Sequence, residues 1–203
     1  MARRERPRMQ RRAFLAGAGA LAVAGCGGGG KSTTTSTTSG GERLPGSPDD
    51  PAVLAFILRL EQLQLDLYRR GEAATFFKPD EAALIKTLAE QEREHVAKLT
   101  GEIRRLKGRV PRPPALKLPI GDRRSFLGAA YRLENLTAST YLSQIARIRD
   151  SGVLELVVSI QTVEGRHAAA VGTLLGKTAT PDGAFAQPHN MAAAALVLDE
   201  VAA

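Results

Sequence analysis

Leu88-Ala89-Glu90-Gln91-Glu92-Arg93-Glu94-His95-Val96-Ala97-Lys98-Leu99 is the stretch that decides how this chain folds. Leu88, Glu92, His95 and Leu99 recur at helical spacing and share one face of an α-helix, and Leu84 and Ile85 extend the stripe backwards. A carboxylate and an imidazole therefore stand where a packed helix buries leucine. The same grammar returns in Val153, Leu156/Val157, Ile160, Glu164, His167, Val171 and Leu174. Two further stripes carry a glutamate in mid-seam: Leu54, Ile57/Leu58, Glu61, Leu65, Tyr68, and Leu127, Ala130/Tyr131, Glu134, Ala138, Tyr141.

Working outward, the punctuation predicts four helices. The first runs from about Asp50, with Asp49 and Pro51 as start signals, to Arg70–Gly71. The second follows Pro79-Asp80 and reaches about Leu106. The third spans about Gly121–Asp122 to Arg149, and the fourth starts near Ser151–Gly152 and ends at Gly176. No convincing strand alternation is present. Pro111, Pro113, Pro114 and Pro119 forbid helix between the second and third segments. Short links make each flanking pair an antiparallel hairpin. A middle link of roughly 12–15 residues is long enough to cross a bundle end to end, which predicts an all-α four-helix bundle with one long crossover. Asn190 is placed to cap a short helix, Met191–Val201, that packs on the bundle or mediates association. His189 reads as a surface or capping residue.

Composition agrees. The chain has 203 residues, 43% hydrophobic but only 4% aromatic and without Trp, so a core of Leu, Ile, Val and Ala is expected. One cysteine excludes an internal disulfide framework, a Cys-rich zinc site and a Cys-ligated iron–sulfur cluster. The net charge of +7 suggests nucleic acid at first, but six arginines against one glutamate lie in residues 1–25, and the rest is nearly balanced. The cluster Arg104, Arg105, Lys107, Arg109 and Arg112 reads as a solvated connecting loop. No nucleic-acid partner is expected.

Residues 1–25 have the layout of a signal peptide, with an apolar stretch Ala13–Ala24 too short to span a membrane, which takes roughly 20 residues. Arg11-Arg12-Ala13-Phe14-Leu15 resembles the twin-arginine export motif, and Val23-Ala24-Gly25-Cys26 resembles the bacterial lipobox. The resemblance implies cleavage before Cys26, lipidation of its sulfur, and a protein held on the outer face of the cytoplasmic membrane. Residues 26–48 are a Gly/Ser/Thr-rich tether. Within it, Gly25 to Ser32 formally matches GxxxxGK[ST], but no strand precedes and no helix follows, so nucleotide binding is not expected. Residues 49–177 are then the bundle and 178–203 a C-terminal segment.

Glu61, Glu92, Glu134 and Glu164 thus point into one core, with His95 and His167 three residues after two of them. Burying isolated carboxylates is prohibitive, so four of them need cations. Two divalent metals supply matching charge, and Glu oxygens with imidazole nitrogens suit iron or manganese. With three histidines and 13 glutamates in the chain, two chance Glu-x-x-His pairs are about a 1% event. The second hairpin also echoes the first at an offset of 72–73 residues, down to Tyr68 and Tyr141, each seven residues after its glutamate.

Residues from about 50 to 176 resemble the ferritin-like di-iron carboxylate family, which includes ferritins and rubrerythrins. That family takes a Glu from each of two helices and a Glu-x-x-His from each of the other two. Glu61, Glu92 with His95, Glu134, and Glu164 with His167 match in that order. The resemblance implies two Fe, with Mn as the alternative because manganese catalases have a similar core. It makes Glu92 and Glu164 the bridges, the histidines terminal ligands, and Tyr68 or Tyr141 the residues that orient them. Two departures stand out. Rubrerythrins have another glutamate on the third helix where this chain has Thr137, and no cysteines are present for a rubredoxin-type iron. The implied activity is oxidation of iron or removal of peroxide by an oxidoreductase. The alternatives are a structural metal site in a stress- or desiccation-related envelope protein, or an interaction module with vestigial ligands. Anchoring through Cys26 argues against a closed storage cage and leaves smaller homo-oligomers open.

Overall fold

The structure is a computed structural model and describes residues 49–202. The segments expected to be a signal peptide and a tether, with Cys26, lie outside the described residues. Within them the chain forms five α-helices: α1 (Asp50–Glu72), α2 (Pro79–Arg105), α3 (Arg123–Gln144), α4 (Ser151–Leu174) and α5 (Met191–Val201). Each start has a local cause. Asp49 accepts from the amide of Ala52 at 3.0 Å, with Pro51 in the first turn. Asp122 accepts from Ser125 N, Asp150 from Gly152 N and Val153 N, and Asn190 from Ala193 N. Pro79 opens α2, where Glu81 accepts from the amide of Lys78 at 3.2 Å. Arg104 and Arg105, expected in the connecting loop, close the last turn of α2 instead.

The helices form the expected bundle. α1 packs on α2 and α3, and α3 packs on α4. Residues 106–122 form the crossover, slightly longer than expected because α2 stops at Arg105 and α3 begins at Arg123. Its middle is pinned to α1, where Leu116 N donates to Asp66 and Arg70 donates to Leu116 O. α5 lies beside it. Lys117 N donates to Val201 O at 2.8 Å, and Ala194, Leu198 and Val201 are buried against the bundle. Packing on the bundle, one of the two roles foreseen for α5, is thereby met.

One helix ends early. α3 stops at Gln144 and passes through a single 3₁₀ turn, Ile145–Arg147, rather than continuing to Arg149. The cause is tertiary. The buried carboxylate of Asp50 accepts from the amides of Arg149 and Asp150, which holds Ile148 extended at φ −68, ψ 137.

The core has two apolar bodies. One contains Leu63, Leu67, Ile85, Phe126, Leu127, Leu133 and Val171, and α5 closes it. The other contains Leu54, Ile57, Leu58, Leu99, Ile103, Val153 and Val157. Between them lies a layer of buried polar side chains. None of the described helices is long and apolar enough to cross a membrane.

Candidate metal centre

Each helix of the bundle delivers one glutamate to this layer. Glu61, Glu92, Glu134 and Glu164 have no solvent-accessible surface, and His95 and His167 are buried beside them. Their potential ligand atoms form two overlapping groups, each with all atoms within 4.8 Å of one another. One comprises Glu61, Glu92, His95 and Glu164, the other Glu92, Glu134, Glu164 and His167. Glu92 and Glu164 belong to both. All six residues singled out in the sequence therefore meet at one place.

Both imidazoles turn Nδ1 to the carboxylates. His95 Nδ1 lies 3.2 Å from Glu61, 3.0 Å from Glu164 and 3.7 Å from Glu92. His167 Nδ1 lies 3.0 Å from Glu92 and 3.5 Å from Glu134. The rings stack at 5.8 Å. His167 Nε2 is held from outside by Gln91 Oε1 at 2.6 Å.

The tyrosines take up an exchanged arrangement. Tyr68 of α1 donates to Glu134 of α3, and Tyr141 of α3 donates to Glu61 of α1 at 2.5 Å. Each therefore steadies the glutamate of the opposite helix, not its own. Seven residues advance a helix by about 10 Å. Both bonds can form only if α1 and α3 run antiparallel, with Glu61 level with Tyr141 and Glu134 level with Tyr68. That direction in turn requires the long crossover.

Gln64 and Thr137 were not foreseen in the site. Gln64 Nε2 donates to Glu134 Oε2 and Glu164 Oε2, both at 2.8 Å, and its Oε1 accepts from Thr137 at 2.7 Å. Both are fully buried. A signal was present, since Glu61-x-x-Gln64 and Glu134-x-x-Thr137 repeat the i, i+3 spacing of the two Glu-x-x-His pairs. Gln91, adjacent to Glu92, carried no such signal. His189 is exposed and belongs to neither donor group, its amide donating to Ser139 O.

The electrostatics show what the layer lacks. Burial, together with the charge of Glu61, pushes Glu92 up to about 8. Burial and the surrounding carboxylates push Glu164 well above its usual range. Burial opposes charge on the histidines, but the facing carboxylates outweigh it. They raise His167 to about 9 and His95 further, with Glu164 the largest contributor for His95. Burial also opposes charge on Glu61, but the His95 partner wins and its pKa falls below the ordinary value. Protons on the imidazoles and carboxyls thus stand in for cations. Glu92 Oε2 and Glu164 Oε1 still have no hydrogen-bond partner, although His95 Nδ1 approaches the latter without hydrogen-bond geometry. Orphaned buried carboxylate oxygens are costly, and metal ligation is one way to satisfy them. They sit on the two glutamates common to both groups, so the residues present fit a pair of metal ions.

A four-helix bundle with a carboxylate-and-histidine layer between two apolar bodies defines the class. The chain belongs to the ferritin-like domain family, whose model matches residues 49–177. No curated protein matches the chain.

Proposed function

We propose that this protein binds two metal ions in the carboxylate layer, iron first and manganese as the alternative, and reacts with oxygen or peroxide at the cell envelope. The observation that carries the reading is the pair of overlapping donor groups sharing Glu92 and Glu164, whose orphaned oxygens lie inside the protein. Glu61 and His95 would hold one ion, Glu134 and His167 the other, and Glu92 with Glu164 would span both. Two reduced ions held there, each oxidised by one electron, would supply the two electrons that reduction of peroxide requires.

This chain's own residues do the rest. Tyr141 and Tyr68 donate to the outer oxygens of Glu61 and Glu134, which keeps those carboxylates in one orientation. Gln91 holds His167 by Nε2, so Nδ1 stays turned inward. The apolar bodies cover the layer above and below and leave its α2–α4 side open. Cavities of about 440 and 460 Å³ in the α2–α4 groove are lined by His95, and the second also by Gln91 and His167, which gives a small oxidant a short approach.

The twin-arginine and lipobox resemblances support export and anchoring through Cys26, with the bundle outside the cytoplasmic membrane. Exposed Arg104, Arg105, Lys107, Arg109 and Arg112 cluster around the C-terminal end of α2. The N-terminus of α1, where the tether joins, lies at the same end, since Gly108 approaches Pro51. A basic surface there suits an anionic headgroup layer.

Elemental analysis of the purified protein, beside a Glu92→Ala/His95→Ala variant, tests the reading. We expect about two Fe or Mn per chain, lost in the variant, and peroxide or oxygen consumption only by the loaded protein. A helical protein that retains no metal overturns it. Loaded protein without turnover leaves a structural metal site. Cys26→Ala should move the protein from the membrane fraction to the soluble one.

A further inference from the structure

The echo between the hairpins makes their differences informative. At the repeat offset of 72–73 residues, Glu61, Glu92, His95 and Tyr68 each find an identical counterpart. Gln64 and Gln91 do not. Their counterparts are Thr137 and Val163. Both amides come from the first hairpin, and every metal-facing side chain they hold belongs to the second. Gln64 holds Glu134 and Glu164, and Gln91 holds His167. Nothing equivalent is returned. Thr137 spends its hydroxyl on Gln64 Oε1, and Val163 has no polar atom. Among the described residues, Glu61 has only Tyr141 and His95 as hydrogen-bond partners.

From this asymmetry we propose that Gln64, buttressed by Thr137, is a positioning residue that makes the two metal positions unequal. It holds the position bounded by Glu134 and His167 ready for metal and leaves the one bounded by Glu61 and His95 to order on loading. The proposal rests on the dinuclear reading above and adds to it.

The physical argument concerns ordering. A carboxylate oxygen has two lone pairs, so accepting one bond from Gln64 leaves each oxygen a second for a metal. Gln64 is fully buried and its own carbonyl is tied by Thr137, so its amide cannot rotate without breaking three bonds at once. Glu134 is thus held by Tyr68 on one oxygen and by Gln64 on the other, independently of any metal. Glu61 has the tyrosine on one oxygen, but its other partner is His95 Nδ1, the nitrogen a metal would claim. Loading must break the His95 Nδ1–Glu61 and His167 Nδ1–Glu92 bonds alike, but Glu134 then keeps both Tyr68 and Gln64 and His167 keeps Gln91, whereas Glu61 keeps only Tyr141. Donors placed behind metal ligands are commonly worth about 10–100-fold in affinity.

The test is a calorimetric titration of the metal-free, full-length protein with Mn²⁺ under nitrogen, with electron paramagnetic resonance following uptake. We expect two resolved steps in the wild type. Glu134→Gln should abolish the tighter step and Glu61→Gln the weaker. Gln64→Leu should weaken the tighter step by about 10–100-fold and the weaker one by less, since Gln64 also holds Glu164, which is common to both. Thr137→Val, which keeps the shape and removes the buttress, should weaken the same step by less and keeps the test open should Gln64→Leu fail to fold. Two equal steps in the wild type, or equal weakening of both steps in either variant, overturn the inference and leave the dinuclear reading standing. Absence of any Mn²⁺ uptake defeats the dinuclear reading, and this inference with it. A merely structural Gln64 would lower helical stability without selecting one step.

Discussion

Above and below the carboxylate layer, the bundle is filled by Leu, Ile, Val and Phe with almost no exposed surface. Within it, Glu61, Gln64, Glu92, His95, Glu134, Thr137, Glu164 and His167 are just as buried. The apolar bodies favour the folded state by leaving water, at about 25 cal/mol per Å². The layer does the opposite, because four buried carboxylates crowd one another, and burial with that repulsion pushes Glu92 and Glu164 towards their neutral forms. The difference teaches that the ends hold the fold while the middle is tolerated. Side chains that disfavour folding in the metal-free protein are those a metal would turn into favourable ones.

The largest test of this contrast is metal loading. At about 1,000 times its Kd, each ion should stabilise the protein by about 4 kcal/mol, read as a rise in Tm. The gain should depend on pH. Folded Glu92 and His167 hold protons with pKa values near 8 and 9, against 4.5 and 6.5 as ordinary values. The stability these protons contribute to the metal-free protein is fully present below the ordinary values and is lost as pH rises through the folded ones. The metal-free Tm should therefore fall between about pH 5 and pH 9. Metal displaces the same protons, so the loaded-minus-free difference in Tm should widen over that range. A flat metal-free Tm would break the account.

Next in size is damage to an end. Phe126→Ala empties the apolar body where Phe76, Phe77 and Tyr68 meet its ring, and should cost about 3–5 kcal/mol in denaturant melts with or without metal. Equal cost in both states is the sharpening observation, since this residue belongs to the fold and not to the ligands. A comparable change in the middle should go the other way. Replacing both members of the buried Glu92–His167 pair by apolar residues of similar size, Glu92→Met with His167→Leu, should raise metal-free stability by about 1–4 kcal/mol while removing the metal-dependent gain. Destabilisation of the metal-free protein by this change would refute the view that the layer opposes folding.

The smallest effect lies outside the contrast and calibrates it. Lys107 terminates α2 at φ 57, and the next amide, Gly108 N, bonds back to Ile103 O at 2.8 Å. Lys107→Gly should add about 1 kcal/mol, with no change in metal uptake.

Much of this was legible beforehand, for reasons that can be named. The glutamates and histidines could be phased because their leucine neighbours share their periodicity, and moving one off the seam moves all. Helix starts were legible from Asp49, Asp122 and Asn190, since capping is a local bond. The end of α3 was not, because Asp50, far away in sequence, extracts the backbone at Arg149. Gln64 was missed because a lone amide in an apolar stripe suggests no chemistry until its partners are known. Thr137 was noticed only as a departure from another family's pattern, whereas its role is to tie Gln64.

By itself, the amino-acid sequence determined the number of helices, the one crossover and the face on which each ligand-type side chain lies, since these follow from periodicity and from proline within one segment. The tertiary structure alone decided which groups meet. It exchanged the tyrosines between α1 and α3, joined Gln64 to two carboxylates of the other hairpin, and left Glu92 Oε2 and Glu164 Oε1 without partners. A hydrogen bond across helices depends on their direction and register to within an ångström, and no spacing along a single helix carries that information.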